Sequence, residues 1–482
     1  MSLYRSDWKV ERLGDFALHE KGTKPKRSQK NADDVFTCSY VDIQAFEKGI
    51  VKEYTDGHKC VLCEENDFLM VWDGSRSGYV GKAIKGALGS TLMKISFPGI
   101  ETDYAYYFLQ SKYLEINTRA KGTGTPHVDP GILWNYQFAI PPLPEQRAIV
   151  AKLEQLFSEL DNGIACLKKA QEQLKVYRQA VLKQAFEGEL TKAWREQQTI
   201  LPSAQELLET IKVEREQAAK LQGKKLKPVI PLTQAELDDL PELPVGWVWI
   251  YIDRVCENNK NSLKAGPFGS LLKKDVFVEN GYKVYGQEQV IKENAFYGNY
   301  FIDEAKYHEL VSYKVKQYDI LISLVGTVGK VLIVPENFQP GVINPRLIKI
   351  SLDKEKYGPR YFKYYFESSF LKGIYSEKTQ GTTMDILNMQ IIKSLPFPFC
   401  SPQEQSQIVQ EIETRLSVCD NMEATIRESL EKAEALRQSV LKKAFEGKLL
   451  SKEELQITRN APDWEPADKL LERIMTGKRT AR

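Results

Sequence analysis

The sequence predicts an α+β protein made by tandem duplication, in which two mixed α/β regions are each followed by one long helix. Two observations predict this arrangement. The segment at 145–190 recurs at 404–449 without a gap, at a constant offset of 259, so that Glu145-Gln146 returns as Glu404-Gln405. In both copies apolar residues recur every three or four positions, as in a coiled-coil seam. A repeat of this kind fixes the architecture before any single motif is considered.

Each copy carries the signals of helix ends. Ser401 has the form of an N-cap, Pro402 occupies the first helical position and Glu404 completes a capping box. Gly188 and Gly447 fall where the helices should stop. A helix of about 43 residues is roughly 64 Å long, so its apolar stripe needs a partner, and the other copy is the obvious one. Two separate core helices are the alternative, which this length disfavours.

The duplication divides the chain into six predicted segments. They are a first globular region at 1–140, a long helix at 141–191, a helical stretch with a linker at 192–244, a second globular region at 245–396, a second long helix at 397–450 and a helical tail at 451–482. Strands are predicted at 35–41, 59–63, 68–72 and 136–140, and helices at 104–113 and 203–222. The helices resemble each other more than the globular regions do. We therefore expect a pseudo-two-fold molecule whose two globular regions bind different targets. This arrangement suits an asymmetric two-part site on duplex DNA.

Composition sets mild bounds. The net charge of +2 favours no class of partner, and seven unevenly spaced cysteines fit a reducing cytoplasm better than a disulfide framework. The N-terminus lacks the apolar core of a signal peptide, and no apolar run is long enough to cross a membrane. A cytoplasmic protein that does not contact membranes is the expectation.

Local clusters supply the candidate DNA contacts. Glycine loops that end near a cation allow the backbone to approach a phosphate, although each also reads as a hairpin turn, and a basic cluster also reads as a solvated surface. The predicted DNA-binding residues are Lys24, Lys26, Arg27, Ser75 and Arg76 in the first region, and Lys273, Lys274, Thr327, Lys330 and Arg346 in the second.

Signatures of catalysis near DNA are missing. Asn344-Pro345-Arg346-Leu347 is the nearest approach to an amino-methylation motif, and it lacks the second proline and the aromatic residue. Neither Gly81-Lys82 nor Gly329-Lys330 completes a P-loop. His58, Cys60, Cys63 and Cys38 offer zinc ligands, but a single CxxC is weak evidence and a strand with buried thiols explains it equally well. We predict no catalytic residues and no metal.

The duplicated motifs resemble the specificity subunit of type I restriction–modification systems. The resemblance is carried by PPLPEQRAIV at 141–150, by RQAVLKQAFEGELT at 178–191, by their second copies, and by GPFGS at 266–270. It covers the whole chain and implies two target-recognition domains on helices that pair as an antiparallel spacer. It further implies double-stranded DNA, two modification subunits and restriction subunits as partners. S-adenosylmethionine, ATP and Mg are then expected on those partners, and no cofactor on this chain.

The exposed helix surfaces are candidate docking sites for such partners. We place these sites around Arg178 and Gln179 and their repeats Arg437 and Gln438, with plain solvent exposure as the alternative. Another class of function stays open at this point: a coiled-coil adaptor whose globular regions bind proteins. Salt separates the two, because DNA binding weakens steeply as salt rises. A self-contained methyltransferase or nuclease is disfavoured by the missing motifs.

Overall fold

A computed structural model of the chain describes residues 4–122, 124–221, 223, 229–325, 327–379 and 387–480. The first globular region contains short strands and helices. The strands are Lys9–Arg12 (β1), Leu18–Lys21 (β2), Ser28–Gln29 (β3), Cys38–Val41 (β4), Tyr54–Thr55 (β5), Leu62–Cys63 (β6), Phe68–Val71 (β7), Val80–Lys82 (β8), Gly86–Leu88 (β9), Leu92–Ser96 (β10) and Gln137–Ile140 (β11). The helices are Leu13–Phe16 (α1), Ile43–Lys48 (α2), Thr102–Thr118 (α3) and Pro130–Leu133 (α4).

The first long helix and its connection to the second region follow. The helices are Leu143–Phe186 (α5), Lys192–Glu196 (α6), Ala204–Leu221 (α7) and Gln234–Asp238 (α8). Helix α5 is 44 residues long. Helix α8 lies inside the predicted linker, where the Thr233 side chain and Glu236 form a capping box that stabilises a short helix.

The second globular region repeats the mixture. Its strands are Val248–Tyr251 (β12), Leu263–Ala265 (β13), Phe277–Val278 (β14), Tyr282–Tyr285 (β15), Phe301–Ile302 (β16), Ile320–Ser323 (β17), Val331–Ile333 (β18), Gly341–Ile343 (β19), Leu347–Ile350 (β20) and Pro396–Phe399 (β21). Its helices are Gln287–Ile291 (α9), Glu304–Glu309 (α10), Pro359–Phe366 (α11), Ser369–Thr379 (α12) and Met389–Lys393 (α13), with 3-10 turns at Ile252–Val255, Gly269–Leu271, Lys274–Val276 and Val311–Tyr313.

The second long helix and the tail complete the chain. They are Pro402–Phe445 (α14), Lys452–Arg459 (α15) and Ala467–Thr480 (α16). Helix α14 is also 44 residues long and begins at the predicted proline, behind Ser401, whose hydroxyl accepts a hydrogen bond from the Glu404 backbone N–H at 3.2 Å. Gly188 and Gly447 follow the last residues of the long helices with φ of +77° and +73°, which glycine adopts without strain. The α+β duplication and the predicted helix ends are therefore confirmed. The predicted capping box is only half formed, because the Glu404 carboxylate accepts hydrogen bonds from Trp247, Thr191 and Arg195 instead of closing the box.

Two predicted strands are shorter than expected. The first begins at Cys38 rather than Val35, because the Asp33 carboxylate accepts hydrogen bonds from the backbone N–H groups of Val35 and Phe36 and holds them in a turn. The strand predicted at 59–63 shrinks to Leu62–Cys63, because Lys59 takes a φ of +58° within a turn.

The chain forms two units that each combine distant segments. Unit 1 contains residues 1–168 and 426–482, and unit 2 contains residues 169–425. In unit 1 the start of α5 and the end of α14 share an aromatic core with α3, where Phe445 lies 5.2 Å from Tyr104 and 5.4 Å from Phe108 between ring centroids. Unit 2 uses the end of α5 in the same way, with Phe186 at 5.3 Å from Tyr361 and 5.1 Å from Tyr365 of α11.

The long helices pair antiparallel within each unit. In unit 1 an ion pair joins Arg437 to Asp161, and in unit 2 Arg178 lies 2.5 Å from Asp420. The paired residue numbers, 437 with 161 and 178 with 420, add to 598 in both cases. One antiparallel register therefore holds in both units, and the offset of 259 converts one ion pair into the other.

Candidate nucleic-acid interface

The two globular regions share one sheet topology despite their divergent sequences. Unit 1 contains a four-stranded sheet in the order β2-β10-β7-β8, and unit 2 contains one in the order β13-β20-β17-β18. A parallel pair stands beside each sheet, β4 with β9 in unit 1 and β15 with β19 in unit 2. Equivalent loops can therefore be compared by position in the fold, without any alignment of residues.

Three loops that are far apart in sequence converge in unit 1. The first loop, residues 22–27, follows β2; the hairpin loop, residues 73–78, joins β7 to β8; and the turn, residues 89–91, precedes β10. The Gly22 N–H donates to the Leu92 carbonyl at 3.0 Å, beside the turn. The N–H groups of Trp72 and Asp73 donate to the Thr91 carbonyl at 2.8 and 3.2 Å, which ties the hairpin loop to the same turn. We call these three loops cluster 1.

Unit 2 assembles the same three loops. Here the first loop is 266–270, the hairpin loop is 324–329 and the turn is 344–346. The Gly266 N–H donates to the Leu347 carbonyl at 2.9 Å, and the Leu324 N–H donates to the Arg346 carbonyl at 3.0 Å. We call this arrangement cluster 2. Gly326, part of the predicted glycine loop, lies outside the described residues.

Glycine is required where the first loop crosses the turn. A Cβ at Gly22 would lie 2.2 Å from the Gly89 carbonyl oxygen, and one at Gly266 would lie 1.8 Å from the Asn344 carbonyl oxygen. Both distances are shorter than van der Waals contact, so only glycine allows the two backbones to approach this closely. The first loop and the turn are thus held together at a rigid crossing in each cluster.

The predicted residues of the first region fall on cluster 1. Lys24, Lys26 and Arg27 are exposed on the first loop, which we call the basic loop, and Ser75 is exposed at the tip of the hairpin loop. Arg76 is already engaged within the domain: its guanidinium lies 2.7 Å from the Glu47 carboxylate and 4.0 Å above the Tyr79 ring. Of these five residues, Arg76 has the least freedom to reach a phosphate.

In the second region, too, most of the predicted residues are exposed and one is engaged within its own domain. Lys273 and Lys274 are exposed just beyond the first loop, Thr327 is exposed on the hairpin loop and Arg346 on the turn. The Arg346 guanidinium donates to Gln287 Oε1 at 3.4 Å, while the Gln287 amide donates to the Ser323 hydroxyl at 3.0 Å. Gln287 thus connects the turn to the base of the hairpin loop.

Lys330 is engaged by carboxylates of its own domain, as Arg76 is in the first region. Its ammonium lies 3.7 Å from Glu293 and 4.0 Å from Glu367, so that its charge is largely compensated inside the domain. Sequence reasoning did not single out Gln287 or the exposed Phe268. The exposed aromatic within GPFGS could have indicated Phe268, whereas nothing local marks Gln287.

The repeated Glu-Gln motif joins each domain to its helix. In unit 2 the Glu404 carboxylate accepts hydrogen bonds from Trp247 Nε1 at 2.9 Å, Thr191 Oγ1 at 2.9 Å and Arg195 Nε at 2.8 Å. Next to it, Gln405 Nε2 donates to the Cys400 carbonyl, and its Oε1 accepts from the Gly358 N–H at 2.9 Å.

Unit 1 forms an equivalent junction with residues from other segments of the chain. Glu145 accepts from Trp8 Nε1 at 3.1 Å and lies 2.7 Å from the Arg5 guanidinium. Gln146 accepts from the Glu101 N–H and donates to the Pro141 carbonyl. Burial raises the pKa of Glu145, and the charge of Arg5 opposes that shift. Each helix start is therefore fixed to its domain by buried polar contacts.

The predicted docking residues are partly engaged between the helices. Arg178 contacts Asp420 and, at 3.2 Å, Glu423, while Arg437 pairs with Asp161. Gln179 Oε1 accepts from the Ser369 N–H at 3.0 Å, and Gln438 is exposed. The structure therefore gives the two arginines a role in helix pairing, and docking at these residues stays a prediction.

Within the described ranges, no three His, Cys, Asp or Glu side chains are grouped as metal ligands. Cys63 is buried in β6, where its thiol donates to the carbonyls of Ile84 and Gly86, and burial raises its pKa to about 11. No helix in the described part of the chain combines the length and hydropathy needed to span a membrane.

Comparison with known families bears on what two such clusters do. The type I restriction modification DNA specificity domain matches residues 5–169 and 262–432, which together include nearly all of the first globular region, the second globular region from residue 262 onward, and the first half or more of both long helices. The chain belongs to this family. The predictions of a type I DNA-specificity subunit and of a recognition protein without catalysis of its own are confirmed by this membership.

Relatives match along nearly the whole chain. The type I restriction enzyme MjaVIII specificity subunit of Methanocaldococcus jannaschii is 24% identical over 454 residues, covering 92% of this chain and 93% of the relative. The EcoDI specificity subunit of Escherichia coli is 22% identical over 464 residues, covering 92% and 89%. A chain solved in work on complex assembly and conformational transition of the type I R-M system superposes with a TM-score of 0.63 at 16% identity, covering 92% and 99%, and confirms the fold.

Proposed function

We propose that this type I specificity subunit reads an asymmetric bipartite DNA site, with cluster 1 on one half-site and cluster 2 on the other. Contacts to base edges would give sequence specificity, and the exposed lysines and arginines would hold phosphates. The two long helices would fix the spacing of the half-sites. The alternative of a coiled-coil adaptor lacks the support that family membership gives to DNA recognition.

One observation carries this proposal: the same three-loop cluster occurs in both units with different side chains. Cluster 1 exposes Lys24, Lys26 and Arg27 on its first loop, where cluster 2 exposes Phe268. Both clusters stand on domains that are joined to a long helix through a buried Glu-Gln junction. One loop arrangement that carries different side chains in the two units is what recognition of two different half-sites requires.

The chemistry of modification and restriction would come from partner subunits. We propose that two modification subunits, which would bind S-adenosylmethionine, and restriction subunits, which would use ATP and Mg, assemble on this chain. Adenine amino groups flipped out of the duplex are the expected targets of methylation. Exposed surfaces of the helix pair, including Gln438, are candidate docking sites, and the chain itself would act in the cytoplasm.

Methylome sequencing tests the proposal. A host that carries this chain with its neighbouring modification subunit should gain methylation at one asymmetric bipartite motif, which disappears when the chain is deleted. Exchanging residues 245–396 for those of a relative should change only one half of that motif. Methylation that is independent of the chain would contradict the DNA-specificity role in that pairing.

The spacer role needs its own experiment. One turn, about 5.4 Å, added to both long helices should lengthen the preferred spacer by one or two base pairs and leave both half-sites unchanged. The matched control is an insertion of equal length after Ala461, in the connection between α15 and α16. An unchanged spacer in the lengthened protein would contradict the ruler role.

A further inference from the structure

Among the described residues, Phe268 has the largest exposed fraction of any aromatic side chain. It lies at the tip of the first loop of cluster 2 and is 84% exposed, although burial of a phenylalanine is strongly favourable. Other aromatic residues of this unit, among them Phe362 and Phe397, are fully buried in the core, and the exposed ones, such as Phe296 at 46%, are much less exposed than Phe268. A ring this exposed, at the tip of a loop of the candidate interface, is available to contact a ligand.

The base of this loop is held rigidly. The Gly266 N–H donates to the Leu347 carbonyl at 2.9 Å, and its Cα abuts the Asn344 carbonyl oxygen so closely that no side chain fits. On the other side of the tip, the Phe268 carbonyl accepts from the Leu271 N–H at 2.9 Å as a 3-10 turn begins. The ring is therefore carried on a preorganised loop, and little conformational entropy is lost when it binds.

Exposed cations lie on the segments that adjoin the first loop of cluster 2. Lys273 and Lys274 follow on the same chain segment, and Arg346 lies on the turn that the loop crosses; all three are exposed. Asp275 is the exposed acidic neighbour in sequence, so cations outnumber it within this stretch. An apolar tip flanked by cations matches the side chains that proteins insert between base pairs while lysine and arginine hold the adjacent phosphates.

We propose that Phe268 inserts as a wedge into a base step of the half-site read by cluster 2. Its ring would replace part of the stacking between neighbouring base pairs and bend the duplex locally. The same position in cluster 1 is occupied by the basic loop, which can contact phosphates but cannot unstack bases. The two half-sites would thus be read by different physical means. This inference rests on the proposed DNA-reading function and adds a specificity-determining residue to it.

The test uses the full chain assembled with its modification subunits and a duplex that carries the motif found by methylome sequencing. 2-Aminopurine is placed at successive steps of either half-site, never at a methylated adenine. Wild-type protein should raise its fluorescence at one step of the half-site read by cluster 2, because unstacking relieves quenching. Phe268→Ala should abolish that rise and weaken binding by roughly 5- to 100-fold, as alanine replacement of a base-stacking aromatic does.

Three further variants separate the outcomes. Phe296→Ala removes another exposed aromatic of the same domain, beyond the C-terminal end of α9, and should change neither signal. Lys273→Ala should weaken binding in a salt-dependent way and leave the fluorescence rise intact. Phe268→Leu should restore part of the affinity, because leucine also acts as a wedge.

Several results would overturn the wedge. One is that the Phe268→Ala variant binds and unstacks DNA like the wild type while the methylated motif persists. The proposed function would then stand, and only the wedge would be contradicted. Loss of modification subunits from the Phe268→Ala assembly in native mass spectrometry would reassign the ring to a protein contact. Absence of motif-specific binding by the wild-type assembly would instead contradict the proposed function itself.

Discussion

Replacing Glu404 with alanine should destabilise unit 2 by about 3 kcal/mol, near the lower end of what breaking a buried ion pair costs. The Glu404 side chain is 1% exposed and accepts hydrogen bonds from Trp247, Thr191 and Arg195. Alanine would leave these three donors without their acceptor and the Arg195 charge without its partner. Arg195 is 20% exposed, so water can solvate part of that charge, which is why we take the lower end of the range.

Urea unfolding of the full chain measures this effect, with hydrogen exchange of β12 and β21 reporting on unit 2 alone. Glu413→Ala is the matched control, because Glu413 pairs with Arg360 at the surface, where the loss should stay below about 1 kcal/mol. Glu404→Gln retains the shape and one acceptor oxygen, so its cost should fall between the two. If Glu404→Ala costs no more than Glu413→Ala, the junction does not hold the domain to the helix as we argue.

Further predictions concern helix register, pH and salt. Exchanging Arg178 and Asp420 should recover part of the stability that either single charge reversal loses, with a coupling of about 1 kcal/mol in a double-mutant cycle; no recovery would mean that the ion pair does not set the register. The hydrogen bond from Arg5 holds the pKa of Asp7 below its ordinary value of 3.8, so Asp7 stabilises the fold above that pH and the contribution is lost as pH falls through the folded-state pKa. The stability difference between the native chain and Asp7→Asn should therefore be widest above about pH 4 and vanish in stronger acid, whereas a constant difference would contradict this assignment. Replacing the three cations of the basic loop with alanine should reduce the salt slope of DNA binding by about 2 to 3 and leave the recognised motif unchanged; an altered motif would show that the loop reads bases.

Much of the architecture follows from the sequence, because the long helices and their ends depend on local signals. The long helices, their ends at Pro402, Gly188 and Gly447, and the tandem repeat are written as periodicity, caps and a constant offset. Strand ends were harder to predict. The side chain of Asp33 and the turn at Lys59 shortened two strands, because a local hydrogen bond or a positive φ competes with strand pairing in a way that composition does not reveal.

The sequence also indicated most of the candidate residues, although not which of them would be free. Lysines and arginines near glycine loops are visible in a linear chain. Whether each one meets an internal carboxylate depends on residues that are distant in sequence: Glu47 engages Arg76, and Glu293 with Glu367 engages Lys330. Arg178 and Arg437 likewise looked like exposed docking residues and prove to pair across the helices.

By itself, then, the sequence determined the duplication, the helical rods and the family, since these are properties of repeated local pattern. Only the tertiary structure decided how the Glu-Gln repeat acts: Glu145 takes its arginine from the N-terminal segment, and Glu404 takes one from beyond the end of α5. Only the tertiary structure brings the first loop, the hairpin loop and the turn of each domain together. Strand pairing, which joins segments tens of residues apart through backbone hydrogen bonds, is what builds those clusters, and no local pattern encodes it.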